Sequence, residues 1–214
     1  MTGSSTIWRS AVALTLVAIM GTGLLAVVNE LTKERIAEQE RQLLLQRLGQ
    51  IIPAEYDENL LEDRIEFANE RHFPGQQIVT AWRARQQGQP VALVLRFAAN
   101  NGYNGRINLL AGINYDGSLR GVRVISHRET PGLGDAIELR IDPWVLSFDG
   151  KRIGNPPIER WAVKRDGGDF DQFSGATITP RAVVDAVKRA LVYFEANRDS
   201  LFSTPADTTS ESMP

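Results

Sequence analysis

A run of twenty consecutive uncharged residues near the N-terminus constrains this chain more than any other feature. It covers residues 10–29 and reads SAVALTLVAIMGTGLLAVVN. As an α-helix, a run of this length extends about 30 Å, which matches the hydrocarbon core of a bilayer. The sequence therefore predicts a transmembrane helix that follows a short N-terminal segment, residues 1–9.

A cleavable signal peptide is the alternative interpretation of this run. We favour an uncleaved anchor, because the run is long for a signal peptide and no clear cleavage site with small residues follows it. Charge leaves the orientation open. Basic residues follow the span more often than they precede it, but the positive-inside rule loses force where a long folded domain follows. The residues counted are Arg9 before the span, and Lys33, Arg35, Arg41 and Arg47 after it.

Composition excludes several classes of function. The 24 basic and 26 acidic side chains form no basic block, so nucleic acid is not an expected partner. The chain has no cysteine, which excludes disulfides, thiol catalysis and cysteine-ligated clusters. Its two histidines, His72 and His127, show no metal-ligand spacing, so no metal site is expected. Redox work would require an organic cofactor.

Between the anchor and the C-terminal region, the pattern predicts a second helix and then a sheet. Residues 30–50 are rich in helix formers and predict a juxtamembrane helix that ends near Gly49. Residues 78–82 and 91–97 flank a polar turn and predict one hairpin. Residues 107–115 alternate with period two and, with residues 119–125, predict a second hairpin.

A helix is predicted to follow these strands, with Thr179 as its N-cap and Pro180 in its first position. We expect it to end at Asn197 and a disordered tail to occupy residues 201–214. A last short strand is predicted at residues 161–164. Five apolar residues share the helix face that should pack on the sheet, namely Val183, Val184, Val187, Leu191 and Phe194. The fold class predicted is α+β, a mostly antiparallel sheet packed with a C-terminal helix, in a domain of residues 51–200.

The stretch DQFSGAT, residues 171–177, lies directly before this predicted helix. Gly175 and Ala176 leave space beside the backbone, and the unpaired amides of a helix start favour an anion beside Thr177. A phosphate fits that description. The alternative interpretation is an ordinary loop and helix cap.

A second unusual stretch, HRETPGLGD at residues 127–135, contains one proline and two glycines and so predicts a shaped loop rather than a strand. Together with GYNGRI at residues 102–107, the second hairpin and the DQFSGAT stretch, it resembles the FMN-binding domain family. More narrowly, the anchor and most of the remaining chain are similar to the RnfG/RsxG family, a component of Rnf-type ion-translocating electron transport complexes.

The resemblance implies a cofactor and its attachment. Thr177 would carry FMN through a phosphoester that a flavin transferase installs from FAD, and the rest of the transferase motif is matched by Asp171, Ser174, Gly175 and Ala176. Thr130 and Leu133 resemble positions that approach the isoalloxazine, although a rigid turn is the alternative. Lys164 is a weaker candidate for a contact with the flavin or its phosphate, because an exposed strand lysine is the usual explanation.

The resemblance also implies the setting. We expect an electron-carrying subunit of a complex that couples electron transfer of the ferredoxin and NAD type to ion translocation, with other subunits as partners. The domain would lie on the periplasmic side of a bacterial inner membrane. Two alternatives stay open, the equivalent subunit of a sodium-translocating NADH:quinone reductase and a membrane-tethered flavin-binding sensor or assembly module.

Overall fold

The computed structural model describes residues 3–49, 51–52 and 60–204. The chain divides into two compact units, Met1–Gln46 and Arg47–Pro214. One continuous helix, α1 (Gly3–Gly49), accounts for the described part of the first unit. The helical stretches predicted at residues 10–29 and 30–50 are thus confirmed as parts of one helix, and the predicted end near Gly49 is confirmed as well. No proline or glycine separates the two stretches, and the Thr32 hydroxyl donates to the Val28 carbonyl inside the helix.

The segment Ala11–Lys33 of α1 is long and apolar enough to cross a membrane, and none of it is buried among the described residues. Its hydroxyl groups are satisfied within the helix. Thr15 donates to the Ala11 carbonyl at 2.9 Å and Thr22 to the Ala18 carbonyl at 2.8 Å. Because lipid supplies no hydrogen-bond partners, this internal satisfaction suits a single-pass membrane helix.

The second unit is built on one five-stranded antiparallel sheet with the strands in sequence order. Both predicted hairpins are confirmed, and their strands are longer than predicted. The strands are β1 (Arg64–Phe67), β2 (Val79–Gln86), β3 (Gln89–Gly102), β4 (Gly105–Asn114) and β5 (Leu119–Ser126).

The core lies between this sheet and a long helix, α2 (Ile178–Ser203), as predicted. Strand β4 contributes Ile107, Leu109 and Ile113 to the core, and all three are fully buried. The five apolar residues predicted on the helix face are all buried as well. The period-two spacing of apolar residues in the strands and their helical spacing in α2 thus correctly predicted which faces of the sheet and of the helix form the core.

The predicted helix end at Asn197 was wrong. The Asn197 side chain donates back to the Tyr193 carbonyl instead of interrupting the helix. Leu201 and Phe202, assigned to the disordered tail, are helical and buried. Their burial explains why the helix continues. The rest of that predicted tail, residues 205–214, lies outside the described residues.

The segment between β5 and α2 contains short 3₁₀ helices rather than strands. The strand predicted at residues 161–164 was wrong, because only Val163 forms a single bridge, with Phe170. Gly167 is left-handed (φ 85°), and a Cβ on Gly168 would lie 1.8 Å from the Ala162 carbonyl oxygen. The chain therefore reverses too soon for a strand. The 3₁₀ helices span Gly134–Ile137, Pro143–Phe148, Ile158–Arg160 and Lys164–Asp166.

Candidate functional site

A cavity of about 310 Å³ lies where three separate segments meet. They are the turn between β3 and β4, the HRETPGLGD loop, and the start of α2 with the residues before it. The cavity thus brings together five of the residues singled out from the sequence. Its lining comprises Tyr103, Glu129, Thr130, Leu133, Gly134, Gly175, Ala176, Thr177, Ile178 and Thr179.

The segment before α2 is held in place by a tryptophan. Trp144 is buried, its indole N–H donates to the Asp171 carbonyl at 2.8 Å, and its ring packs edge-on against Phe173. Trp144 therefore serves packing and positions this segment. Gly175 adopts φ 76°, a left-handed conformation that favours glycine, and completes the turn. A Cβ at this glycine would lie 3.6 Å from Leu133 Cδ2, so the two sequence motifs contact each other.

Thr177 is the residue immediately before α2, and it is half-buried on the cavity wall. Its hydroxyl makes no capping hydrogen bond. The prediction that Thr179 is the N-cap was wrong, because α2 begins at Ile178 and Thr179 lies inside its first turn. The Thr179 hydroxyl instead donates to the buried carboxylate of Glu129. At the helix start, the Thr179 hydroxyl is thus bonded to Glu129, whereas the Thr177 hydroxyl has no hydrogen-bond partner among the described residues.

The backbone at this helix start favours an anion. The first intrahelical hydrogen bond runs from the Arg181 N–H to the Thr177 carbonyl at 3.2 Å, so the amides of Ile178 and Thr179 have no partner within the helix. The first turn contains no acidic side chain. Such a helix end stabilises an anion by about 0.3–1 kcal/mol at an exposed site. The position beside Thr177 therefore suits a phosphate.

The HRETPGLGD loop supplies the opposite wall. The Thr130 carbonyl accepts the N–H groups of Leu133 and Gly134, both at 3.1 Å, which makes a tight turn. Leu133 projects from this turn with 43% of its surface exposed, and Tyr103 and Ile178 are 65% and 45% exposed. Three large apolar side chains therefore surround an opening whose walls are otherwise small and polar. A planar apolar ligand would cover them.

His127, at the start of the same loop, has both ring nitrogens occupied. One faces a Glu138 oxygen at 2.7 Å and the other accepts the Glu129 N–H at 3.0 Å. His127 is therefore a structural histidine that joins the loop to Glu138. Hydrogen bonds from Arg140 and then His127 lower the pKa of Glu138 to about 2. His127 is not part of the cavity lining.

Three predicted site residues, Lys164, Asp171 and Ser174, lie outside the cavity lining. Lys164 begins a 3₁₀ helix, and its ammonium lies 2.6 Å from an Asp171 carboxylate oxygen. Both side chains are more than half exposed. Ser174 is also exposed, so Asp171 and Ser174 are accessible to another protein. A contact between Lys164 and a ligand in the cavity stays a prediction.

The predicted site residues omitted five residues of the cavity lining, namely Tyr103, Glu129, Gly134, Ile178 and Thr179. Glu129 and Thr179 lie at its base, and no local pattern distinguishes them because their contact spans fifty residues of sequence. Tyr103 and Asn104 form the turn between β3 and β4. Both belong to the GYNGRI stretch that carries the family resemblance, and this stretch was the available signal.

Comparison with known proteins places the cavity within a recognised domain. Residues 102–192 match the family of the FMN-binding domain, and residues 1–51 match the RnfG N-terminal region. The chain is also similar over nearly its whole length to proteins named as the G subunit of the ion-translocating oxidoreductase complex. The relative from Vibrio atlanticus is 42% identical, covering 95% of this chain and 97% of its own. The relative from Pseudomonas aeruginosa is 47% identical, and the match covers 91% of this chain and 92% of the relative. The relative from Shewanella loihica is 46% identical, and the match covers 93% of this chain and 94% of the relative.

Proposed function

Because this chain belongs to the RnfG family of ion-translocating oxidoreductase complexes, we propose that it carries FMN covalently on Thr177 and relays electrons within such a complex. The observation that carries the proposal is the position of the Thr177 hydroxyl, on the wall of a cavity and at the anion-binding end of α2. Its FMN-binding domain, residues 102–192, contains the whole cavity lining.

The residues of the cavity fit this cofactor. FMN supplies reversible electron uptake, which no side chain of this cysteine-free chain provides. The amides of Ile178 and Thr179 suit its phosphate, and the exposed apolar surfaces of Leu133, Ile178 and Tyr103 suit its ring system. Thr130 presents a hydroxyl at the opening, where it accepts a hydrogen bond from the Asn104 side chain at 3.1 Å. Small residues at positions 134, 175 and 176 leave room between them.

Attachment is proposed to proceed by phosphoryl transfer from FAD on a flavin transferase. The Thr177 oxygen forms a bond to the phosphorus on the flavin side, and the pyrophosphate bond of FAD breaks. AMP leaves with the electron pair of that bond, and the hydroxyl proton passes to the transferase. Exposed Asp171 and Ser174 are in the accessible stretch that the transferase would recognise, beside Gly175 and Ala176.

A covalent bond is expected because the site is weak as a non-covalent one. A helix end contributes only about 0.3–1 kcal/mol to anion binding. The cavity volume of about 310 Å³ is near the lower bound for ligand sites. In an exported domain, FMN held only by these contacts would be lost by dilution. The phosphoester removes that loss.

The proposed partners and location follow from the same family. We infer that α1, whose segment Ala11–Lys33 is long and apolar enough to cross a membrane, anchors the chain in the bacterial inner membrane with the FMN-binding domain periplasmic. Its sequence contains no G-x-G-x-x-G fingerprint after a strand, so the nucleotide and ferredoxin reactions belong to other subunits. Identity of 42–47% over more than nine-tenths of the chain favours the RnfG assignment over the sodium-translocating quinone reductase or a separate sensor module.

The test is co-expression of the full chain with a flavin transferase, followed by denaturing electrophoresis and flavin fluorescence. We expect a fluorescent band for the native protein and none for Thr177→Val, which removes the acceptor oxygen but keeps a β-branched side chain. Thr80→Val, the same change on strand β2, is the matched control and should retain the band. A fluorescent Thr177→Val band would contradict the proposal.

A further inference from the structure

Glu129 is an acidic side chain buried at the base of the cavity, with only 5% of the residue exposed. One carboxylate oxygen accepts the Asn104 backbone N–H at 3.0 Å. The other accepts the Thr179 hydroxyl. Both oxygens thus act as acceptors, toward two different segments of the chain, while the Glu129 backbone belongs to a third.

Two glycines make the space that this carboxylate occupies. A Cβ at Gly102 would lie 2.9 Å from one carboxylate oxygen, and a Cβ at Gly134 would lie 2.8 Å from the other. Real Cβ atoms do not approach oxygen so closely. Gly134 has no positive φ, so the contact with Glu129 rather than backbone conformation explains why a glycine suits this position.

The three segments joined by Glu129 are the three walls of the cavity. Asn104 follows the wall residue Tyr103 and also donates to the Thr130 hydroxyl at 3.1 Å. Thr179 lies two residues after Thr177 in the first turn of α2. We infer that Glu129 is a positioning residue of the FMN site, which fixes these walls relative to one another and adds a negative charge to the cavity.

In the described part of the chain, hydrogen bonds rather than an ion pair hold the Glu129 carboxylate. In the ion pairs formed within the described parts of the chain, no lysine, arginine or histidine side chain meets Glu129. A buried negative charge at a cavity wall raises the free energy of a second negative charge nearby. The negative charge of Glu129 therefore destabilises reduced, anionic flavin relative to oxidised flavin and lowers the flavin midpoint potential.

The test rests on the proposed function and uses the full chain, loaded by the transferase and purified in detergent. Glu129→Gln keeps the shape and an acceptor for Asn104 but removes the charge. We expect it to load with FMN and to show a higher flavin midpoint potential than the native protein. Glu159→Gln, the same change on an exposed 3₁₀ helix, is the matched control and should leave the potential unchanged.

Glu129→Ala tests the positioning role. It removes both hydrogen bonds, so the visible circular dichroism of the flavin should weaken, whereas Glu129→Gln should preserve it. If Glu129→Ala does not fold, the flavin midpoint potential of Glu129→Gln still tests the inference. A Glu129→Gln potential equal to that of Glu159→Gln overturns the inference. Failure of the native protein to acquire flavin would instead overturn the proposed function, so the two failures are distinguishable.

Discussion

Thr177 and Thr179 are two residues apart, yet the fold gives their hydroxyls opposite roles. Thr179 is fully buried and donates to Glu129, whereas Thr177 is half-buried and has no capping hydrogen bond. A fully buried hydroxyl is out of reach of a second protein, whereas the half-buried Thr177 hydroxyl lies on the cavity wall. The fold therefore leaves Thr177 as the threonine available for modification.

At the same scale, Glu138 gives a pH dependence of stability. Its folded-state pKa of about 2 is below the ordinary value of 4.5 because Arg140 and His127 favour the ionised form. The ionised Glu138 side chain therefore contributes fully to the free energy of unfolding above pH 4.5, and this contribution is lost as the pH falls toward about 2.

We expect Glu138→Gln to lower the melting temperature at pH 7, since it weakens the bonds to Arg140 and His127. The difference from the native protein should shrink as the pH falls from 4.5 toward about 2. Thermal unfolding of the full chain in detergent measures it, with Glu159→Gln as an exposed control. A difference that stays constant with pH would contradict the assignment.

At the scale of elements, the C-terminal end of α2 depends on a buried arginine. Arg83 on strand β2 is 3% exposed and donates to Asp63 at 2.7 Å, and it also donates to the carbonyls of Leu201 and Thr204. Arg85 donates to the Phe202 carbonyl at 2.7 Å. These bonds satisfy carbonyls that a helix end leaves without partners.

Arg83→Met should lower the free energy of unfolding by about 2–3 kcal/mol, because it leaves buried acceptors unpaired. Arg96→Met, at an exposed position of β3, is the control and should change it by less than about 0.5 kcal/mol. Denaturant unfolding of both variants measures the effect. Equal stabilities would show that Arg83 does not hold the end of α2.

The spacing of apolar residues predicted the strands and the helix in which apolar residues recur at a regular period, but not the segments without such a period. The alternation in β4 and the helical spacing of Val183, Val187 and Leu191 follow directly from burial of one face. The segment between β5 and α2 has no such period, because aromatic packing around Phe148 and left-handed glycines determine its path. Its 3₁₀ helices were missed for that reason.

The site residues also fall into two groups, those that sequence motifs predicted and those that only the three-dimensional contacts reveal. Thr177, Thr130 and Leu133 were predicted because the local motifs that contain them resemble those of the FMN-binding domain family, and the cavity brings them together. Glu129 and Thr179 were missed because their role depends on a contact between distant segments. The N-cap at Thr179 was wrong for the same physical reason, since a partner outside the helix claims its hydroxyl.

At the scale of the whole molecule, the proposal requires the FMN-binding domain on the periplasmic side. The chain has no cysteine, so a single introduced thiol reports its own location. Glu159→Cys should react with a membrane-impermeant maleimide in spheroplasts, whereas Ser5→Cys, before the span, should react only after lysis. The opposite pattern would contradict the proposed orientation.

The central claim, a flavin nucleotide bonded to Thr177, is tested most directly by mass spectrometry of the full chain extracted from its native membrane. The account predicts an intact mass increased by one FMN less one water, with the addition on the peptide that contains Thr177. An unmodified mass, or the same addition on a peptide without Thr177, would contradict it.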